Sequence, residues 1–196
     1  MQPISRTILT LAIAHILSFS MALSSHAASI ITAVETGGDV VFTAAGGGSL
    51  DLTGLSKVSF ANRLSFIEPV TGSFATGASS GVDQYNGAIT GPAQFGAGTF
   101  SARTTGVGPY SGIFGDGAPI LFIIEGYVSG SPLDESTSVY AGQTFATLGI
   151  TTGTYVWNLP NDTMTLNIVN TIPIPAAAWL FGSALGLLGW MRRKAV

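Results

Sequence analysis

The chain has no cysteine, and its only two histidines, His15 and His26, lie close to the N-terminus. Without a thiol there is no disulfide, no thiolate nucleophile and no cysteine-ligated zinc. Without a histidine beyond His26, the body of the chain cannot assemble a Ser-His-Asp or Cys-His nucleophile. Charge is scarce as well, at 9% of residues. Between the two apolar ends stand three cations, Lys57, Arg63 and Arg103, against ten anions, a balance of −7. That excess of negative charge disfavours nucleic acid and anionic lipid as partners. Two catalytic routes survive these absences: a carboxylate pair of the glycosidase type, or a Ser-Lys dyad built on Lys57. Neither has a supporting motif, so no catalytic residue, cofactor or metal is assigned. Asp134-Glu135, after Pro132, offers hard oxygen ligands, but no spaced Asp-x-Asp-x-Asp series accompanies it and it reads as a solvated turn.

Long apolar runs occur only at the ends. Arg6 precedes the run Ile8 to Leu23, and Ser24-Ser25-His26-Ala27 follows. Small residues at Ser25 and Ala27 suit a signal-peptidase site, with cleavage between Ala27 and Ala28; an uncleaved anchor is the alternative. At the other end Ile172-Pro173-Ile174-Pro175-Ala176 leads into an apolar stretch reaching Met191, closed by Arg192-Arg193-Lys194. About 20 residues at 1.5 Å rise cover the hydrocarbon layer of a bilayer. Trp179 and Trp190 sit where indole rings favour the membrane interface, and the basic residues mark the cytoplasmic side. A buried helix of the globular body is the alternative, but a helix apolar all round and then abruptly tribasic argues against it. Gly182-x-x-x-Gly186 would let two such helices pack closely, though small residues are common in membrane spans.

Pro motif, apolar helix and basic stop, in that order, resemble the PEP-CTERM family of sorting signals. The match is to the variant reading Val-Pro-Leu-Pro-Ala, with Ile172 and Ile174 at its branched positions. Weaker resemblance to uncharacterised members of the family runs through Val34 to Phe42 and Leu148 to Thr163. The resemblance implies an exported protein of a Gram-negative bacterium, passed by signal peptidase and the secretion channel to an exosortase acting near Pro173, Ile174, Pro175 and Ala176. Trp179, Trp190, Arg192, Arg193 and Lys194 would hold an inner-membrane intermediate in the lipid, with the domain outside and the C-terminus cytoplasmic. The final location would be the cell surface or extracellular matrix. Ile174 stands where the archetypal motif has Glu, which leaves the exosortase subtype open.

The expected organisation is therefore a signal peptide over 1–27, one domain over 28–171 and a sorting signal over 172–196 with its helix at 176–191. The body reads as strands. Ile30 to Glu35 and Asp39 to Ala44 flank Gly37-Gly38 as a hairpin. Alternation predicts a strand over Ser49 to Thr53. Lys57 to Ile67 predicts one or two strands, Ile120 to Val128 a central one, and Thr144 to Leu148 a short one. Tyr155, Trp157 and Leu159 share one face, as do Met164, Leu166 and Ile168, around the turn Pro160-Asn161-Asp162. Residues 71–119, rich in Gly, Ser and Thr, read as a long loop, with Tyr85, Phe95, Phe100, Tyr110 and Phe114 as anchors for strands between turns. The fold class is all-β: an antiparallel sandwich of jelly-roll type. Asn161-Asp162-Thr163 matches a glycosylation sequon, incidental in a hairpin turn. The expected function is a non-catalytic exported surface or matrix protein. The alternatives are a carbohydrate-binding or adhesive module that takes exopolysaccharide on the aromatics of 71–119, and a polysaccharide-active enzyme.

Overall fold

Gly37 and Gly38, with φ of 63° and 87°, turn the chain where the paired glycines predict a hairpin. In the computed structural model, which describes residues 28–170, this hairpin begins a series of thirteen strands. They are β1 (Ser29–Thr36), β2 (Asp39–Ala44), β3 (Ser56–Arg63), β4 (Phe66–Glu68), β5 (Ser73–Thr76), β6 (Ser80–Asn86), β7 (Ser101–Ala102), β8 (Thr105–Val107), β9 (Ser111–Phe114), β10 (Ile120–Ile124), β11 (Ser136–Tyr140), β12 (Gly153–Asn158) and β13 (Thr163–Val169). A single 3₁₀ turn, Pro69–Thr71, joins β4 to β5. Sheet I has the order β12-β13-β1-β2-β11-β8, and sheet II the order β3-β6-β10-β9-β5-β4-β7. Ala27, the Pro motif, the helix expected at 176–191 and the basic tail lie outside the described residues, and Ala28 stands just before β1.

The core forms where the alternating side chains of the two sheets meet. Ile31, Ala33, Val40, Phe42, Trp157 and Leu166 point inward from sheet I, and Ile67, Phe74, Ile113, Leu121 and Ile123 from sheet II; all are fully buried. Each large apolar side chain so buried contributes about 1.5–3 kcal/mol. The terminal hairpin has the expected inner face, with Trp157, Leu159, Met164, Leu166 and Ile168 all in the core. β10 is interior to sheet II, as its apolar run suggests, although it ends at Ile124 and Gly126 turns the chain with φ of 75°.

Four expectations need correction. The sandwich is not purely antiparallel, because β1 pairs parallel with β13 while antiparallel to β2. Ser49 to Thr53 is not a strand, although Leu50 and Leu52 are buried. Side chains take its backbone N–H groups: Leu50 donates to Tyr127 Oη, Asp51 to Asp162 Oδ2 and Leu52 to Ser129 Oγ, each at 2.8 Å. Thr144 to Leu148 is a turn, with Leu148 N–H bonded to Thr144 O and Thr147 N–H to Thr144 Oγ1; three-residue spacing brings both Phe145 and Leu148 inward. Finally, residues 71–119 are no long loop, since β5 to β9 all fall within them.

Candidate functional site

The outward face of sheet II carries the aromatics. On β4, Ile67 enters the core and Phe66 and Glu68 point away from it; on β9 and β10 the outward aromatics are Phe114 and Phe122. Phe100 stands immediately before β7, which pairs with β4 through Ile67↔Ser101. The residues between Phe122 and Phe66 are small, since Phe122 pairs with Gly112 and Gly112 with Ala75. A side chain at Gly112 would meet the Phe74 carbonyl oxygen at 2.2 Å, so this position must stay glycine. The rings close over these small residues, and Ala75 is fully covered although it points out of the sandwich.

The rings form a continuous path across the sheet. Phe114 lies 6.1 Å from Phe122 and 6.3 Å from Phe66, and Phe66 stacks on Phe100 at 5.3 Å with 26° between planes. Phe66 and Phe122 are buried, whereas Phe100 keeps 58% of its surface exposed. The Arg63 guanidinium sits 5.4 Å above the Phe122 ring, an exposed cation–π contact of about 0.5–1 kcal/mol. With Asn62, Leu64 and Glu68 these residues line a pocket of about 270 Å³. That falls just under the roughly 300–1,000 Å³ usual for small-molecule sites, enough for one ring or a chain end. Apolar faces are thus rimmed by an amide, a guanidinium and a carboxylate that donate and accept hydrogen bonds.

The five aromatics read as strand anchors, and in the alternative reading as a sugar-binding surface, divide between burial and the pocket. Phe95 lies in the core between the sheets and Tyr85 packs against it, Tyr110 is buried with Ala75, Val82 and Phe122 on the outward side of sheet II, and Phe100 and Phe114 reach the pocket. Phe66, Phe122, Arg63 and Glu68 were not among the expected site residues. In Ile120–Ile124 every residue is apolar, so the sequence gives no alternation to single out Phe122 as outward.

The remaining candidates have other occupations. Lys57 Nζ lies 2.6 Å from Asp83 Oδ1, and this contact raises the ammonium's pKa instead of freeing it as a base. Burial pushes the Asp83 carboxyl up, but Lys57 and the Gly126 N–H outweigh it and hold the group below its usual range. Asp134 and Glu135 are exposed, and the described residues contain no cluster of three or more metal-ligating side chains. Asn161 donates its amide to Thr53 O, and Asp162 accepts from Asp51 N–H and Thr163 N–H. A groove of about 490 Å³ between the loops at Val70, Pro92 and Pro119 has Asp116 as its one carboxylate and no aromatic wall.

Comparison with protein-family models, curated proteins and solved structures returns no match.

Proposed function

We propose that this chain is a non-catalytic exported protein of the cell surface or extracellular matrix, whose sandwich holds a neutral glycan in the aromatic pocket of sheet II. One observation carries the binding part: Phe100, largely exposed, stacks on Phe66 at the lip of a pocket bordered by Asn62, Arg63 and Glu68. A sugar ring has an apolar face of C–H groups that packs on the negative face of an aromatic ring, and hydroxyls that need donors and acceptors at the rim. The balance of −7 between the two apolar ends favours a neutral polymer over an acidic one. The pairing of Lys57 with Asp83 speaks against the Ser-Lys route to catalysis, and the aromatic pocket holds Glu68 as its one carboxylate where a glycosidase needs two.

Export rests on the two ends of the sequence. In this reading Ala27-Ala28 is the cleaved bond, and Pro173-Ile174-Pro175-Ala176 is the segment an exosortase acts on. The span with Trp179, Trp190 and the tribasic tail is the transient anchor.

Binding is tested by titrating purified exopolysaccharides and neutral oligosaccharides against the wild type and Phe100→Ala. Phe100 is exposed, so its loss leaves the fold intact. The expected result is a roughly tenfold weaker dissociation constant, about 1.4 kcal/mol. Glycan binding that is unaffected by Phe100→Ala would overturn the assignment of this pocket.

A further inference from the structure

The outward face of sheet I has a different chemistry from that of sheet II. Its register aligns Thr154, Asn167, Thr32, Thr43, Thr137 and Val107 in one row across all six strands. The next row holds Val169, Val34, Val41, Val139 and Thr105. Neither row contains a charge or an aromatic ring. A strand with one solvated face normally alternates apolar inside with polar outside, whereas here Val34, Val41, Val139 and Val169 stand on the outer face. Ile30, Val107 and Val156 add exposed apolar surface at 46%, 63% and 37%. Asp39, at the start of β2, accepts a hydrogen bond from Gly142 N–H at 2.8 Å. A shallow depression of about 620 Å³ runs over Thr32, Val34, Thr43, Thr154 and Asn167.

We propose that this face is the contact between two copies of the chain, stacked sheet I on sheet I about a two-fold axis. Three features favour a second copy. First, a twisted sheet is a saddle, hollow along one diagonal and raised along the other. A copy turned over about a two-fold axis in the plane of the sheet presents the same saddle, so the surfaces fit as the two layers of a sandwich do. The interface is then isologous, each row meeting the partner's equivalent face. Second, six strands about 4.8 Å apart and about 20 Å long cover roughly 500 Å² in plan. Side-chain relief raises this toward the roughly 800 Å² per partner that a stable interface buries. Third, the domain between the two apolar ends, with a balance of −7, must keep its anions out of such a contact, and the two rows exclude them.

The consequence deepens the glycan reading and rests on it. Face-to-face pairing through sheet I leaves both sheet II pockets on the outermost layers, pointing in opposite directions. One dimer then joins two separate polymer strands, a cross-link and not a doubled grip on one strand.

The test uses the full chain, with Val41→Lys, Val41→Glu and their equimolar mixture, followed by sedimentation and light scattering. Val41 points outward from β2, and the substitutions leave the apolar tail untouched. We expect the wild type to be dimeric, each variant alone to associate at least about tenfold more weakly, and the mixture to recover the dimer. Recovery on mixing distinguishes a charged interface from a misfolded variant. A wild type that stays monomeric overturns the inference, as does a dimer that Val41→Lys leaves intact, which would place the contact at an edge strand or in the tail. For the cross-link, wild type should precipitate or thicken the glycan, whereas Val41→Lys should bind it equally well without doing so. Equal thickening by both overturns the cross-link. Absence of glycan binding in both, with dimerisation intact, overturns the pocket reading and spares the interface.

Discussion

Tyr110 and Tyr140 are fully buried, and neither phenol oxygen finds a hydrogen-bond partner among the described residues. Burial pushes both phenols up, and the charge of Arg103 only partly offsets it; Arg63 also acts on Tyr110. The native state therefore keeps protons that the unfolded chain loses near the ordinary value of 10.0. Because the unfolded state then binds fewer protons, stability is present below that pH and falls as pH rises above it. Thermal melts should hold steady up to about pH 9 and drop beyond it, with a shallower drop in Tyr110→Phe and in Tyr140→Phe. At neutral pH each Phe variant should be neutral or more stable, since an unpaired buried hydroxyl costs about 1–3 kcal/mol. An alkaline slope identical to that of the wild type would show that the phenols are solvated.

At the level of elements, legibility followed side-chain contrast. The hairpins β1–β2 and β12–β13 could be read because large apolar and polar residues alternate around turn residues. β7, β8 and β9 could not, since Ser101-Ala102, Thr105-Gly106-Val107 and Ser111-Gly112 carry little apolar contrast and their pairing is decided by distant partners. The site suffered the same loss. Phe100 and Phe114 were legible as exposed-aromatic candidates, but only the register brings Phe66 and Phe122 beside them. Ser49 to Thr53 erred the other way, with true alternation but no neighbouring strand. Asp162 ties that segment to the last hairpin by accepting Asp51 N–H at 2.8 Å and Thr163 N–H at 2.7 Å. We expect Asp162→Ala to lower stability by about 1–3 kcal/mol and to speed hydrogen exchange at both amides. Unchanged exchange at Asp51 would mean that another group holds this segment.

Over the whole molecule, the first and last strands are joined at the centre of one sheet. β1 sits between β2 and β13, so β13 cannot be lost without exposing the inner edge of the hairpin that begins the domain. β13 also supplies Met164, Leu166 and Ile168, all within the core. At about 1.5–3 kcal/mol each, these three approach the whole stability of an ordinary domain, about 5–15 kcal/mol. The sandwich therefore limits where a processing enzyme can cut. Pro173 follows the end of β13 by only four residues, which at about 3.5 Å per residue span roughly 14 Å. Any cut that leaves a folded protein must fall beyond Val169, and under the proposed sorting a cut that frees it from the anchor must fall before the apolar span that begins at Ala176. Under the proposed sorting, mass spectrometry of the C-terminal peptide from native cells should find an end inside that window, absent when the proposed exosortase is deleted. A released, soluble form ending upstream of Val169 would contradict the role given to β13. Retention of Arg192-Arg193-Lys194 with and without the exosortase would remove sorting and leave a permanent single-pass anchor.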